Sequence, residues 1–445
     1  MGFFKMSNPD GRYADAVYFF IALVIGIAVG VVGGYFHQLI DWLSQWPQWL
    51  GSQLQGAARV AVGALVTMSV AVFCVFIVKR FAPEAGGSGV QEIEGAMEGK
   101  RVVRWQRVLP IKFFCGVLSI SSGLVLGREG PTIHIGAAIA AGLSEKFRVL
   151  VQERKGLLAA GAGAGLACAF NAPVASMVFV AEEMRRQFPF SFRNYVAVGL
   201  ACVMATVMTE WVGGVAPDLS MTLHGEGVSL PLLLAFVPLG VLLGALGVLL
   251  NRGLLGAAQL AALCHARVPY AFPAVVGLVV GALLMVFPMA VTGGEHMIQR
   301  FNFDSPGLWM LLLLVVVRFF TSTASYASGV PGGIFAPILA LAMCVGLACG
   351  TMVEILFPHA GVDPVAFGIA AMGGLFTASV HAPTVGIILV AELTGTYQLL
   401  LPLAITCLCA HICAKWLGGR PIYEALLERT LEQERLKVAG AQTGQ

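Results

Sequence analysis

The chain has 445 residues, of which 58% are hydrophobic and only 11% are charged. Ordinary soluble domains carry roughly 25% charged residues, so this composition excludes a soluble globular protein and predicts one that crosses a membrane many times. The formal net charge of +3 gives no reason to expect a nucleic-acid partner, and we expect none.

The first part of the chain alternates between long apolar runs and charged loops. Residues 1–15 are polar and are expected in the cytoplasm. The runs at 16–36 and 57–78 are long enough to span a membrane, since a helix crossing about 30 Å needs roughly 20 residues. Residues 37–56, between them, carry several tryptophans, as membrane interfaces do. A basic cluster at 100–107 then predicts a cytoplasmic loop.

A Gly-rich turn precedes a predicted short helix whose first turns contain Glu92 and Glu94. Ser88 is the expected N-cap, because a serine side chain can accept a hydrogen bond from a free N–H group of the first turn. Taken alone, this is also the pattern of an ordinary capped helix in a loop.

The most unusual stretch is GREGP at 127–131, which lies between apolar segments at 111–126 and 133–143. Both segments are short for a span, which is typical of discontinuous membrane helices. A carboxylate at membrane depth is costly and normally faces a cavity or an ion path. The N-terminus of a helix attracts anions, so the stretch predicts a broken helix pointing at an anion, with Glu129 able to occupy the same position. Arg128 is either a lone loop arginine or a charge that keeps a vestibule positive.

The second half of the chain repeats this arrangement. A second Gly/Pro-broken motif, SGVPGGIFAP at 328–337, precedes another apolar run. The tail at 418–445 is short and charged, and it is too small for a regulatory domain. The predicted apolar runs outside these motifs are 156–181, 194–212, 229–250, 270–291, 367–393 and 399–417.

Two segments of the chain align without gaps at an offset of 210 residues, namely 160–182 and 370–392. Their Ala-Pro pairs coincide, and so do their terminal residues Glu182 and Glu392. Chance similarity between apolar sequences is the alternative, and the matching polar positions argue against it. Broken segments paired in two halves predict a binding site near the membrane midplane, where the repeats meet.

The ten cysteines all fall in apolar segments. The densest group is Cys407, Cys409 and Cys413 with His411, for which a metal site is conceivable. Buried cysteine also behaves as a small hydrophobic residue, and we favour that interpretation. The eight histidines show no ligand spacing, so no metal site and no cofactor are predicted.

Four motifs in order make the chain similar to the CLC family of chloride channels and chloride/proton antiporters. They are GSGVQ at 87–91, GREGP at 127–131, GGIFAP at 332–337 and RPIY at 420–423. The resemblance covers nearly the whole chain and is close to bacterial members, which lack cytoplasmic regulatory domains. One departure is Gln91, where the family usually has proline.

The resemblance implies an all-α polytopic membrane protein. Two inverted-topology repeats, at about 16–212 and 228–417, would place discontinuous helices around a central anion site within a single transmembrane domain spanning 1–445. It also implies a homodimer with one pore per subunit, in the lipid bilayer of a bacterial inner membrane.

Carried over by motif, the resemblance also assigns roles to single residues. Glu129 would be the gate and proton acceptor, and Glu183 the internal proton-transfer residue. Two hydroxyls and two backbone N–H groups would bind the anion, those of Ser88, Tyr423, Ile334 and Phe335. The supporting residues would be Gly87, Gly89, Arg128, Gly130, Gly333 and Glu182.

Two transport functions fit this resemblance, exchange of chloride for protons and passive chloride conduction on the same scaffold. Adjacent carboxylates such as Glu182 and Glu183 are often a solvated helix end. However, family channels typically have a non-ionisable residue at the position of Glu183, so its presence favours exchange. Ser88 favours chloride over nitrate, with nitrate and fluoride as substrate variants. An intramembrane enzyme would need an HExxH or Ser/Lys constellation, which the sequence lacks, so no enzyme is expected.

Overall fold

The computed structural model describes residues 11–214, 219–223, 228, 230–358 and 361–443. Three parts of the chain lie outside the described residues: the first ten residues of the predicted cytoplasmic segment at 1–15, much of the polar stretch at 213–227, and the end of the tail.

The described chain is helical throughout both halves. Seven of its helices are long and apolar enough to cross a membrane, so the prediction of an all-α polytopic membrane protein is confirmed. The helices of the first half are α1 (Gly11–Leu43), α2 (Trp46–Gln53), α3 (Gly56–Phe81), α4 (Val90–Met97), α5 (Trp105–Ser121), α6 (Glu129–Lys146), α7 (Val151–Phe170), α8 (Pro173–Glu182) and α9 (Phe192–Gly213). Those of the second half are α10 (Phe236–Arg267), α11 (Ala271–Val286), α12 (Glu295–Phe301), α13 (Leu308–Ala327), α14 (Phe335–Leu356), α15 (Pro364–Val380), α16 (Pro383–Thr394), α17 (Leu400–Trp416) and α18 (Ile422–Thr443).

The predicted end of one span is wrong. The sequence suggested that a span ends at Leu250, before a polar pair, but α10 continues through Asn251 to Arg267. The Asn251 amide is buried and donates hydrogen bonds to the carbonyls of Ser379 (2.9 Å) and Arg420 (3.0 Å). Because these partners satisfy the polar group inside the protein, it does not mark a membrane boundary.

Two runs predicted to be continuous, 156–181 and 367–393, are each broken into two helices. Asn171 ends α7 and His381 ends α15, both in the left-handed conformation, with φ of 51° and 68°. A proline then starts the next helix in each case, where its missing N–H costs nothing. The breaks lie at equivalent positions of the predicted repeat, so the repeat is present in the structure as well as in the sequence.

The two halves also cap each other's helices. The Glu182 carboxylate at the end of α8 accepts hydrogen bonds of 3.2 and 2.7 Å from the second and third N–H positions of α16. The Glu392 carboxylate in α16 accepts bonds of 3.2 and 2.7 Å from the same positions of α8. A reciprocal exchange of this kind is what a two-fold relation between repeats produces, and it agrees with the predicted inverted repeats.

We expect Glu392→Ala to lower the free energy of unfolding by about 1 kcal/mol, because two N–H groups at the start of α8 lose a charged cap. Denaturant unfolding in mixed micelles measures the change. Glu354→Ala is the matched control, since Glu354 is exposed on α14 and its removal should change the stability by less than about 0.5 kcal/mol. Equal stability of the two variants would contradict a capping role.

Candidate anion site

The loops before α4, α6 and α14 meet in the interior of the protein. Gly87 donates to the Val330 carbonyl (3.1 Å) and its own carbonyl accepts from Gly332 (3.0 Å). Gly127 and Gly333 exchange two backbone hydrogen bonds of 2.9 and 2.7 Å. Both loops of the first repeat are therefore joined to the single loop that begins α14 in the second.

Two side chains of α5 hold this junction, and the sequence analysis singled out neither. The Lys112 ammonium is buried and donates to the carbonyls of Ala85 (3.1 Å) and Gly87 (2.6 Å). The Ser119 hydroxyl donates to the Pro331 carbonyl (2.5 Å). A lysine inside an apolar run was the available signal for Lys112, since ionisable residues at membrane depth are rarely without a role.

Glu129 lies at the start of α6, as the GREGP motif predicted. Its side chain is fully buried, and one carboxylate oxygen accepts a hydrogen bond of 2.8 Å from the Ala336 N–H in the first turn of α14. The other oxygen has no hydrogen-bond partner among the described residues. The carboxylate therefore lies where the N-terminus of α14 would otherwise attract a free anion.

Ser88 does not cap α4, so that expectation was wrong. The N-cap is Gly89, whose φ of 96° is left-handed and so favours glycine. The Ser88 hydroxyl is buried beside the hydroxyl of Tyr423, at the start of α18. Neither hydroxyl makes a hydrogen bond of ordinary geometry within the described chain, so both protons are available to a third group.

Ile334 and Phe335 form the beginning of α14, as its N-cap and first residue. N–H groups in the first turn of a helix have no intrahelical acceptor. The Phe335 ring packs against the rings of Phe376 (4.8 Å between centroids) and Tyr423 (5.8 Å). This packing fixes the helix start and places the Tyr423 hydroxyl near it.

Arg128 forms an ion pair with Glu295, with 3.4 Å between Nε and the carboxylate. Glu295 is the first residue of α12, and the sequence analysis did not identify it. Its carboxylate offsets much of the positive charge that Arg128 was expected to give a vestibule, and its own exposed fraction of 31% leaves the pair partly open to water.

Glu183 lies away from the three loops, directly after α8. It lines a polar cleft with Glu94, Arg185, His381 and other residues. Tyr423 is near the carboxylates of both Glu183 and Glu129. The two predicted proton residues therefore lie on different elements, Glu129 at the start of α6 and Glu183 after the end of α8. Glu182 lines the same cleft, but its oxygens bind the start of α16.

No group of three or more His, Cys, Asp or Glu side chains is arranged to hold a metal ion within the described ranges. Cys407 is buried as a free thiol. His411 packs edge-to-face against His381, with 5.4 Å between ring centroids. Burial and packing against neighbouring side chains thus describe Cys407 and His411 in the structure.

The N-termini of broken helices meet at one buried position, which is the arrangement of a membrane protein that binds an anion. The family model described as voltage gated chloride channel matches residues 70–415, and the chain belongs to this CLC family. It is 43% identical over 424 residues to the H(+)/Cl(-) exchange transporter ClcA of Vibrio cholerae, covering 94% of this chain and 90% of that protein.

Solved structures agree with this assignment. The structure is similar to that of a slow cyanobacterial Cl-/H+ antiporter, with a TM-score of 0.88 and 37% identity over 94% of this chain and 99% of the other. It has the same fold as a eukaryotic CLC transporter, with a TM-score of 0.77 and 22% identity over 92% of this chain and 74% of that one.

We expect Gly130→Ala to weaken chloride binding by about tenfold or more, equivalent to roughly 1.4 kcal/mol. A Cβ at this position would meet the Ser88 side chain and lie 2.9 Å from the Ser88 Cα, so the anion site must shift. Isothermal titration calorimetry on the purified protein measures the affinity. Gly256→Ala is the control, because a Cβ there meets nothing within 4 Å. Unchanged affinity in Gly130→Ala would remove Ser88 from the site.

Proposed function

We propose that this protein is a secondary active transporter that exchanges chloride for protons across a membrane. The observation that carries the proposal is the Glu129 carboxylate bound to the first turn of α14. A chloride ion can replace the carboxylate in this position, and the carboxylate, unlike chloride, can also carry a proton. Passive chloride conduction on the same scaffold is the second candidate.

The anion site provides partial positive charge. Chloride that enters a bilayer must have its hydration shell replaced, and helix N-termini supply free N–H groups and a positive dipole end. The hydroxyls of Ser88 and Tyr423 supply two further donors. Donors without full charge bind an anion weakly enough for it to leave, as conduction requires.

Competition for one position links the two ions. While Glu129 is ionised, its carboxylate holds the N–H of Ala336 and excludes the anion. Once protonated, it loses its charge and with it most of the attraction to the helix dipole. The side chain then leaves, and chloride takes its place. Each proton taken up at Glu129 therefore opens the position to an anion, and each anion displaces the carboxylate.

A second ionisable group supports exchange over conduction. Glu183 lies in a polar cleft that is separate from the loops around Glu129, so protons can enter without following the anion. The names of the relatives and of the cyanobacterial structure, which describe exchangers, support the same choice.

The remaining parts of the proposal rest on the family resemblance. We propose a single transmembrane domain that forms a homodimer in a bacterial inner membrane. Chloride and protons would be the substrates, with no cofactor and no enzymatic activity.

Glu129→Gln should uncouple transport. Glutamine is neutral and cannot carry a proton, so chloride flux should persist while proton flux falls below detection. Both fluxes are measured in proteoliposomes with a chloride electrode and a pH electrode. Glu354→Gln, which changes an exposed carboxylate, should transport both ions like the wild type. Proton pumping by Glu129→Gln would remove this residue from its role.

Glu183→Gln should abolish proton movement and leave chloride permeation, because the inner entry for protons is lost while the anion site is intact. The assay imposes a chloride gradient on vesicles and follows uphill proton movement. Wild-type protein should move protons, and Glu354→Gln again serves as the control. If wild-type vesicles pass chloride without any proton movement, the protein is a channel.

A further inference from the structure

Two polar side chains lie directly behind Ser88, and neither has a role in the mechanism above. Gln91 belongs to α4 and Tyr326 to α13, so they come from different repeats. Both are buried, with exposed fractions of 7% and 6%. Gln91 is also the position at which the first motif departs from the usual proline.

The side chains of Gln91 and Tyr326 both lie close to the backbone at Gly87 and Ser88. The Tyr326 hydroxyl lies close to two groups that can donate to its oxygen, the Ser88 backbone N–H and the Gln91 side-chain amide. A Cβ on Gly87 would lie 3.4 Å from the Tyr326 Oη and 3.6 Å from the Gln91 Nε2. Both atoms therefore pack against the residue immediately before Ser88.

The hydrogen-bonding capacity of a hydroxyl decides which neighbouring groups can donate to the Tyr326 oxygen. A tyrosine hydroxyl has one proton to donate and can accept from donors on its oxygen. The Ser88 N–H and the Gln91 amide are both close to that oxygen, and a hydrogen bond from either one would restrict its position. The Gln91 Oε1 is buried without a hydrogen-bond partner among the described residues, which is costly in a site that only packs. A purely apolar pair would fill the same space without that cost.

We propose that Tyr326, held in place by Gln91, is a positioning residue that fixes the Ser88 backbone and thereby sets the anion selectivity of the site. The proposal rests on the anion site of the proposed function. When the Ser88 backbone is fixed, the distance between the Ser88 and Tyr423 hydroxyls is also fixed. A constant distance suits a small spherical anion. Without the Tyr326 hydroxyl, the Ser88 N–H loses a nearby acceptor, and the space between the Ser88 and Tyr423 hydroxyls can widen.

The alternative is that Tyr326 and Gln91 only fill the core. The two interpretations differ in what the loss of one hydroxyl changes. Core packing depends on shape, which phenylalanine keeps almost entirely. Positioning depends on the hydroxyl oxygen, so selectivity should change even when the fold and the stability do not.

The test is Tyr326→Phe, with chloride and nitrate binding measured by isothermal titration calorimetry on purified protein. We expect chloride affinity to fall about three- to tenfold, the range for one lost hydrogen bond, and the preference for chloride over nitrate to narrow. Tyr18→Phe is the control. Tyr18 is also buried, and its hydroxyl donates to Asn194 (2.9 Å). This contact lies outside the site, so chloride affinity should not change.

A second variant keeps the test informative if the first fails to fold. Gln91→Met keeps the length of the side chain and removes its amide, and it should narrow the same preference. In the double variant, the effects should be smaller than their sum, because the two residues act on Ser88 together.

Wild-type chloride affinity and selectivity in folded Tyr326→Phe or Gln91→Met would overturn this inference and leave the proposed function standing. Absence of chloride binding in the wild type would instead overturn the proposed function.

Discussion

A helix that begins inside a membrane leaves its first N–H groups without water, and α14 meets this need with the carboxylate of Glu129. Much of the surrounding structure keeps these two groups in place. The paired glycines at 127 and 333 bring the start of α6 against the start of α14. Position 333 has to be glycine, because a Cβ there would approach the Glu129 carboxylate to 2.6 Å. The same close approach of backbones that builds the site therefore makes it intolerant of larger residues.

The buried cations have a different task from anion binding. Lys112 donates to two carbonyls before α4, and Arg318 donates to the carbonyls of Met289, Val291 and Thr292 at 2.6, 3.1 and 3.0 Å. Both cations hold irregular backbone that would otherwise be unsatisfied in a membrane. An ammonium or guanidinium used in this way attracts an anion less than a free one, so the site keeps only partial charges close to the ion.

The sequence predicted those parts of the protein that depend on local pattern. A carboxylate between glycines in an apolar region predicted the start of α6, and the aligned segments predicted the two repeats. Features that depend on distant partners were missed or mistaken. Asn251 resembled a membrane boundary because its partners, Ser379 and Arg420, are far away in sequence. Ser88 resembled an N-cap because the left-handed turn at Gly89 cannot be read from its neighbours. Nothing adjacent to Tyr326 indicated its contact with Ser88.

The contacts between loops at the site join one repeat to the other, as do the caps provided by Glu182 and Glu392. During synthesis, the first repeat emerges with the Glu129 carboxylate, the Gly127 backbone and the start of α8 all lacking their partners. These groups have to remain in contact with water or with the insertion machinery until α14 and α16 have been made, roughly 200 residues later. Biogenesis is therefore the stage at which an interrupted or slowed chain would expose polar groups to lipid, and truncation within the second repeat should harm the first repeat as well.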